Sequence, residues 1–201
     1  MPYSSFCFAD IQKLGITIMD KAGLFADIEE INLKSLFVNN LLAENVPLAL
    51  AINTEKSRSE LIIAPVLLEL RKLLDKKISL FSGTEFTVDE TQNLKGICDF
   101  IISLSAEQFF IDAPIITIVE AKKDNIIDGI PQCIAEMRAA QLFNEKQQQP
   151  LARIYGIVTS GSLWKFLYLE EQSLYLDLDE YHIKEIAKIM GVLTMMCHQE
   201  G

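Results

Sequence analysis

The order of helical and strand patterns after residue 57 is the feature that most limits how this chain can fold. From Ser57 to about Lys77, apolar residues recur at helical spacing, and either Ser57 or Ser59 is suitably placed to cap the helix. Pro65 lies inside this stretch, where it either kinks the helix or marks its true first turn. The apolar positions are Leu61, Ile62, Val66, Leu67, Leu70, Leu73 and Leu74.

Strand and helix patterns alternate after this helix. Segments rich in β-branched residues predict strands over 78–88, 95–104, 115–121, 153–159 and 163–169. Helical spacing predicts further helices over 129–144 and 180–197. The order of helix, three strands, helix, two strands and helix predicts an α/β fold, in which helices flank a mixed central sheet.

The N-terminal part of the chain has weaker patterns. We interpret residues 1–56 as an extension packed on the core, and residues 57–201 as one domain that ends in a C-terminal helix. Within the extension, residues 28–42 have helical spacing, and Asn32 or Ser35 could cap that helix.

Composition and charge narrow the class of protein. The chain has 201 residues, and 50% of them are hydrophobic, which is enough for a sizeable core. Its formal net charge of −10 comes from 28 acidic and 18 basic residues. Proteins that coat nucleic acid indiscriminately neutralise phosphates with excess Lys and Arg, so this charge argues against that class. It leaves room for a local basic groove.

Cysteine usage and hydropathy indicate a soluble protein of the cytoplasm. The cysteines form no CxxC pair, so zinc ribbons and disulfide scaffolds are not expected and buried reduced thiols are. The N-terminus lacks a basic segment followed by a long apolar one, so no signal peptide is predicted. The longest apolar run, residues 61–68, is too short to span a bilayer, and we predict no membrane association.

Three charged residues at the ends of neighbouring strands stand out. Asp99 shares a strand face with apolar neighbours, where an ionised carboxylate costs several kcal/mol unless it is paired or binds a metal. Glu120 and Lys122 end the next predicted strand, and residues two apart point to the same face. Glu120 and Lys122 form either a simple ion pair at a strand end or one half of a metal-dependent catalytic site, to which Asp99 would also belong.

Asp99 followed on the next strand by Glu120-Ala121-Lys122 resembles the core motif of the PD-(D/E)xK, or restriction-endonuclease-like, nuclease superfamily. Glu60 matches the extra acid near the start of the helix before the sheet, and Gln132 matches a glutamine on the following helix. Nuclease domains of type I restriction subunits are the most similar members. The resemblance covers roughly residues 57 to 170 and implies an αβββαβ core.

The sequence departs from the superfamily pattern at two positions. Cys98 stands where a proline often precedes the first acid. Glu136 stands where RecB-like nucleases have the tyrosine of a Gln-xxx-Tyr pattern. The resemblance is therefore to the wider superfamily rather than to its RecB-like branch.

The resemblance implies a Mg²⁺ cofactor, for which Mn²⁺ could substitute. Asp99, Glu120 and the carbonyl of Ala121 would hold the cation, since Mg²⁺ prefers oxygen ligands. Glu60 could reach a second metal ion or a metal-bound water. A bound metal lowers the pKa of its water and polarises the phosphoryl group.

Two further residues would assist the chemistry that the resemblance implies. Lys122 would orient the attacking water or stabilise charge on the phosphorus, and Gln132 would position Lys122 or touch the phosphate. The implied activity is hydrolysis of DNA phosphodiester bonds. Basic residues that could line a DNA groove are Arg58, Lys122, Lys123, Arg138 and Lys165.

A second hypothesis is a nuclease fold that serves as a binding or structural subunit with weak or no catalysis. The complete set of two acids and a lysine favours the nuclease. The net charge of −10 favours the subunit, or a partner protein that delivers the DNA. A homodimer is also left open.

Overall fold

A computed structural model of the chain describes residues 2–32 and 36–198, with the side chains of Leu36 and Phe37 left out. The α-helices of this part are α1 (Phe8–Lys13), α2 (Leu36–Ile52), α3 (Glu55–Arg58), α4 (Ala64–Leu73), α5 (Ile130–Lys146) and α6 (Ile186–Met196). Short 3₁₀ helices span Tyr3–Ser5, Ile126–Gly129 and Ile183–Glu185, and a π-helical turn spans Ser59–Ile63. The strands are β1 (Thr17–Lys21), β2 (Ser79–Glu85), β3 (Ile97–Ser103), β4 (Ile115–Ala121), β5 (Arg153–Thr159), β6 (Leu163–Glu170), β7 (Ser173–Asp177) and β8 (Tyr181–His182).

The strands of the described residues form one mixed sheet in the order β1-β7-β6-β5-β4-β3-β2, with β8 paired to β6. The neighbours β2/β3, β3/β4, β5/β6 and β6/β7 are antiparallel, whereas β4/β5 and β1/β7 are parallel. A parallel pair needs a crossover connection, and α5 supplies it between β4 and β5. The prediction of an α/β fold with a mixed sheet flanked by helices is confirmed.

Each face of the sheet has its own apolar core. On one face, α5 buries Cys133, Ile134 and Met137 against the sheet. On the other face, residues of α2, α4 and α6 pack with buried Trp164 and Phe166. Every residue of β4 is buried, because it is a central strand covered on both faces.

The helix before β2 starts earlier than its sequence pattern predicts. Thr54, rather than Ser57 or Ser59, is the cap, and its hydroxyl accepts from the Ser57 backbone N–H at 3.0 Å. The helical path therefore begins at Glu55, and α4 ends at Leu73 rather than near residue 77.

The π-helical turn and Pro65 are accommodated together. Pro65 is the second residue of α4 and has no N–H to donate to the preceding turn. The carbonyl oxygen of Leu61 accepts instead from the Asn45 side chain of α2, at 2.9 Å. Pro65 thus follows a π-helical turn without ending the helical path, and α2 satisfies a carbonyl of that turn.

Several elements differ from the sequence expectations. The strands β1, β7 and β8 were not predicted, and residues 180–185 are not part of the C-terminal helix, which begins at Ile186. β1 of the N-terminal region pairs with β7, and the predicted boundary between residues 56 and 57 falls inside α3. The predicted cap Ser35 lies outside the described residues, whereas Asn32 is non-helical and α2 begins at Leu36.

Among the helices of residues 2–32 and 36–198, none is long and apolar enough to cross a membrane.

Candidate active site

The candidate site lies where β3 begins and β4 ends. These strands are antiparallel, with Phe100 opposite Val119, so one further step along both brings Asp99 opposite Glu120. The Asp99 Oδ2 atom accepts a hydrogen bond from the Ala121 backbone N–H at 2.8 Å. The two predicted acids are therefore cross-strand neighbours on one sheet face.

Glu120 connects this strand pair to α5 and to the lysine. Its side chain is 1% exposed. The Oε2 atom accepts from Gln132 Nε2 at 2.8 Å, and the Oε1 atom is paired with the Lys122 ammonium. The Lys122 Nζ atom also donates to Gln132 Oε1 at 3.3 Å. Glu120, Lys122 and Gln132 thus form one closed triangle of contacts.

The backbone holds Lys122 beside the sheet although β4 ends at Ala121. The Lys122 N–H donates to the Thr159 carbonyl at 2.8 Å, which continues the parallel ladder with β5. Gly129, at the start of the following helix, packs so closely that an added Cβ would lie 3.0 Å from the lysine stem and 2.8 Å from Val158. The backbone and this packing together fix where the ammonium group lies.

Burial and like charge raise the pKa of both acids. Burial is the main cause for Asp99, and the negative charge of Glu55 also raises its pKa. The hydrogen bond from the Ala121 N–H and the positive charge of Lys122 lower the pKa of Asp99 but do not cancel the rise. For Glu120, burial and then the charge of Asp99 raise the pKa to about 8, although Lys122 opposes them. At neutral pH the Glu120 carboxyl therefore retains a proton, which a divalent cation could displace.

Lys122 stays charged in this setting. Burial on its own would lower its pKa, but the charge and hydrogen bond of Glu120, together with Glu55 and Asp99, raise it overall. The lysine is thus a fixed positive charge and hydrogen-bond donor beside two carboxyls, and its side chain remains 24% exposed.

The structure brings together four of the five predicted catalytic residues and sets Glu60 apart from them. The Glu60 carboxylate, 60% exposed, pairs with Lys56 at 2.7 Å. The acid of this helical path whose charge acts on Asp99, Glu120 and Lys122 is Glu55. A catalytic role of Glu60 stays a prediction.

Sequence reasoning missed Glu55 because it placed the helix start too late. The signal was present in Thr54-Glu55-Lys56-Ser57, where Thr54 and Ser57 form a reciprocal capping pair that makes Glu55 the first helical residue. Arg58 then anchors this helix start to the β5–β6 turn. Its guanidinium donates to the Ser160 carbonyl and to the Ser162 hydroxyl, each at 3.0 Å.

Glu136 is the other residue that the sequence reading did not place in the site. It lies one turn after Gln132 on α5, is fully buried, and accepts from Gln132 Nε2 at 3.0 Å. Glutamate in a helix is ordinarily exposed, so the sequence offered little reason to expect a buried acid here. The one available signal was that Glu136 stands at the tyrosine position of the Gln-xxx-Tyr pattern.

The donor set fits a hard cation that keeps part of its water shell. Mg²⁺ is commonly held by one or two carboxylates, with water and phosphate oxygens completing the octahedron. Asp99 and Glu120 supply two carboxylates, and the Ala121 carbonyl lies in the chain between Glu120 and Lys122. The described ranges contain no cluster of three or more His, Cys, Asp or Glu side chains placed to hold a metal. The site could therefore hold Mg²⁺ only with water or substrate oxygens as additional ligands.

The five basic residues predicted for a DNA groove all have protein partners. Lys165 is 6% exposed, and its ammonium donates to the Leu178 carbonyl at 3.1 Å. Lys123 pairs with Asp124 at 3.6 Å. Arg58, Lys122 and Arg138 are held by the β5–β6 turn, Glu120 and Gln141. These five residues do not form an unpaired basic groove.

Comparison with known proteins gives no family assignment. No protein-family model, curated protein or solved structure matches this chain.

Proposed function

We propose that this protein is a Mg²⁺-dependent nuclease that hydrolyses DNA phosphodiester bonds in the cytoplasm. The observation that carries the proposal is the Lys122 ammonium held against the buried Glu120 carboxyl, with Asp99 on the adjacent strand. A lysine beside two acids of raised pKa is the arrangement that the PD-(D/E)xK motif implies. Such clusters of perturbed groups occur preferentially at functional sites.

The topology supports a restriction-endonuclease-like core. The path from α3 and α4 through β2, β3 and β4, then α5 and β5, has the order αβββαβ. Its three first strands are antiparallel neighbours, and α5 returns the chain so that β5 lies parallel to β4. The proposed site then lies at the carboxyl ends of this parallel pair, where α/β sheets commonly bind ligands.

Each side chain has a distinct role in the proposed reaction. Mg²⁺, when bound, would activate a water and polarise the scissile phosphate. Asp99 and Glu120 would hold the cation. Lys122 would donate a hydrogen bond to the attacking water or to a phosphate oxygen, whose negative charge grows in the transition state. Gln132 would hold the Lys122 and Glu120 side chains in place relative to each other through its hydrogen bonds to both.

A cleavage assay tests the proposal directly. We expect the purified protein to nick supercoiled plasmid or to degrade single-stranded DNA when Mg²⁺ or Mn²⁺ is added, and EDTA should abolish the reaction. Absence of cleavage of both substrates across a range of metal concentrations would contradict the nuclease proposal.

The second candidate is a nuclease-fold protein that acts as a binding or structural subunit. The protein partners of the five basic residues, together with the net charge of −10, favour this reading. A polyanion would be repelled by such a surface unless a basic partner protein delivered it. Metal binding without any cleavage would support this candidate.

Glu55 and Glu60 offer a matched pair of substitutions. We expect Glu55→Gln to lower Mn²⁺-dependent cleavage about tenfold, corresponding to about 1.4 kcal/mol, because the charge that acts on Asp99, Glu120 and Lys122 is removed. Glu60→Gln removes an exposed acid paired with Lys56 and should change the rate less than about twofold. Initial rates at saturating metal would measure both. The reverse ranking would favour Glu60 as the helix acid.

A further inference from the structure

Glu136 is a buried acid with one carboxyl oxygen that has no partner. Its side chain is fully buried, and its Oε1 atom accepts from Gln132 Nε2 at 3.0 Å. Its Oε2 atom makes no hydrogen bond within the described residues. Buried polar atoms without partners are rare and costly, so each one requires a physical explanation. A residue that only filled space at this position would not need a carboxyl group.

The orientation of the Gln132 amide explains the carboxyl group. Both amide hydrogens are used, since Nε2 donates to Glu120 Oε2 at 2.8 Å and to Glu136 Oε1 at 3.0 Å. The amide oxygen is then left to face the Lys122 ammonium at 3.3 Å. A flipped amide would place its oxygen against two carboxyl oxygens and its NH₂ group against an ammonium. Two acceptors on one side therefore select one orientation.

The geometry of α5 makes Glu136 suited to this role. Residues 132 and 136 are four apart on the helix, so their side chains are neighbours on the face that packs on β4. Burial, and then the charge of Glu120, raise the pKa of Glu136 well above its usual range.

We propose that Glu136 is a positioning residue for the Lys122–Glu120 pair, which acts by fixing the Gln132 amide with its oxygen towards Lys122 and its NH₂ group towards Glu120. This inference rests on the proposed nuclease function. It assigns to α5 a task in the site beyond covering the sheet, and it gives a reason for an acid at a position that packing alone would fill with an apolar residue.

Two substitutions of Glu136 separate positioning from packing. Glu136→Leu removes the partnerless buried oxygen but also leaves one Gln132 N–H without its acceptor, so these opposing effects should leave Tm little changed. The same variant should lose about 10- to 100-fold in kcat with little change in KM, because the lysine and Glu120 are no longer aligned. Glu136→Gln keeps a carbonyl acceptor and should recover most of kcat, although its buried NH₂ group lowers Tm. A loss of kcat in Glu136→Leu without a matching loss of Tm thus separates positioning from packing.

Thr117→Val is the matched control. Thr117 lies on β4, is 1% exposed, and also has a buried oxygen without a hydrogen-bond partner in the described residues. Its replacement by an apolar isostere removes a partnerless buried oxygen and should not lower Tm, and it should leave kcat unchanged. A loss of kcat in this control equal to that of Glu136→Leu would overturn the positioning role.

The activities of the two Glu136 variants also test the positioning role. Wild-type activity in Glu136→Leu, or an equal loss in Glu136→Gln and Glu136→Leu, would overturn the inference.

If the wild-type protein does not cleave DNA at all, the proposed function fails, and the Gln132 side-chain amide signals in an NMR spectrum decide the positioning role. Glu136→Leu should then shift these signals and speed their hydrogen exchange, whereas Glu136→Gln should preserve them. Unchanged signals in Glu136→Leu would refute it.

Discussion

Replacement of Lys122 by methionine is expected to lower the rate of Mg²⁺-dependent DNA cleavage by at least about 100-fold, the loss typical of removing one preorganised charge donor. The ammonium is the only group that this substitution removes, because methionine retains the apolar stem that packs against Gly129. The variant should remain folded, and single-turnover rates at saturating metal would measure the loss.

Metal binding should respond in the opposite way. In the wild-type protein, Glu120 Oε1 is engaged by the lysine, so removal of the ammonium frees that oxygen for a cation. We therefore expect Lys122→Met to bind Mn²⁺ at least as tightly as the wild type in calorimetric titration. A variant that loses activity only because it loses metal would argue against a direct role of Lys122 in the chemistry.

Lys123→Met is the matched control for this experiment. Lys123 is adjacent in sequence, is 45% exposed and pairs with Asp124 at 3.6 Å. Its loss should change the cleavage rate less than about twofold, as is usual for exposed ion pairs. Equal rates in the wild type and in Lys122→Met would show that the observed cleavage comes from a contaminant.

The central part of the fold could be predicted because its sequence signal is local. β4 and β5 have the bounds that the sequence predicts, since each is rich in β-branched residues and lies between polar segments. The cross-strand meeting of Asp99 and Glu120 follows from pairing such strands. Gln132 joins them because the helix after β4 must return across the sheet to start β5.

The other elements depend on long-range contacts that a local pattern does not encode. β1 is exposed at most positions and is a strand only because β7 pairs with it. The helical path before β2 contains a π-helical turn, Ser59–Ile63. This turn rotates the residues that precede it around the helix axis, so they no longer follow the helical spacing of the apolar residues after it. This turn and the missed cap explain why the sequence reading named Glu60 and did not consider Glu55.

The stability of the metal-free protein is expected to depend strongly on pH. Glu120 has a pKa of about 8 in the folded protein because of burial and the charge of Asp99, whereas an unfolded chain would give it the usual value of 4.5. Between these two pH values the folded state holds a proton that the unfolded state has released. The contribution of Glu120 to stability must therefore fall as the pH rises from about 4.5 to about 8, and level off above that.

The size of this loss follows from the shift. A change of one pKa unit corresponds to about 1.4 kcal/mol, so the metal-free protein should lose on the order of 4 kcal/mol of unfolding free energy across this range. Urea unfolding at pH 5.5 and pH 8.5 with EDTA present would measure the loss. Glu120→Gln imitates the protonated side chain, so its stability should change much less between the two pH values.

Glu60→Gln is the control for an acid that is exposed and ion-paired on the surface, and it should retain the wild-type pH dependence. Addition of Mg²⁺ at pH 8.5 should restore stability to the wild type, because the cation binds the ionised carboxylates that the folded state otherwise disfavours. The same addition should do little for Glu120→Gln, which lacks one of the two carboxylates. If Mg²⁺ stabilised both proteins equally, the cation would be binding elsewhere and Glu120 would not be its ligand.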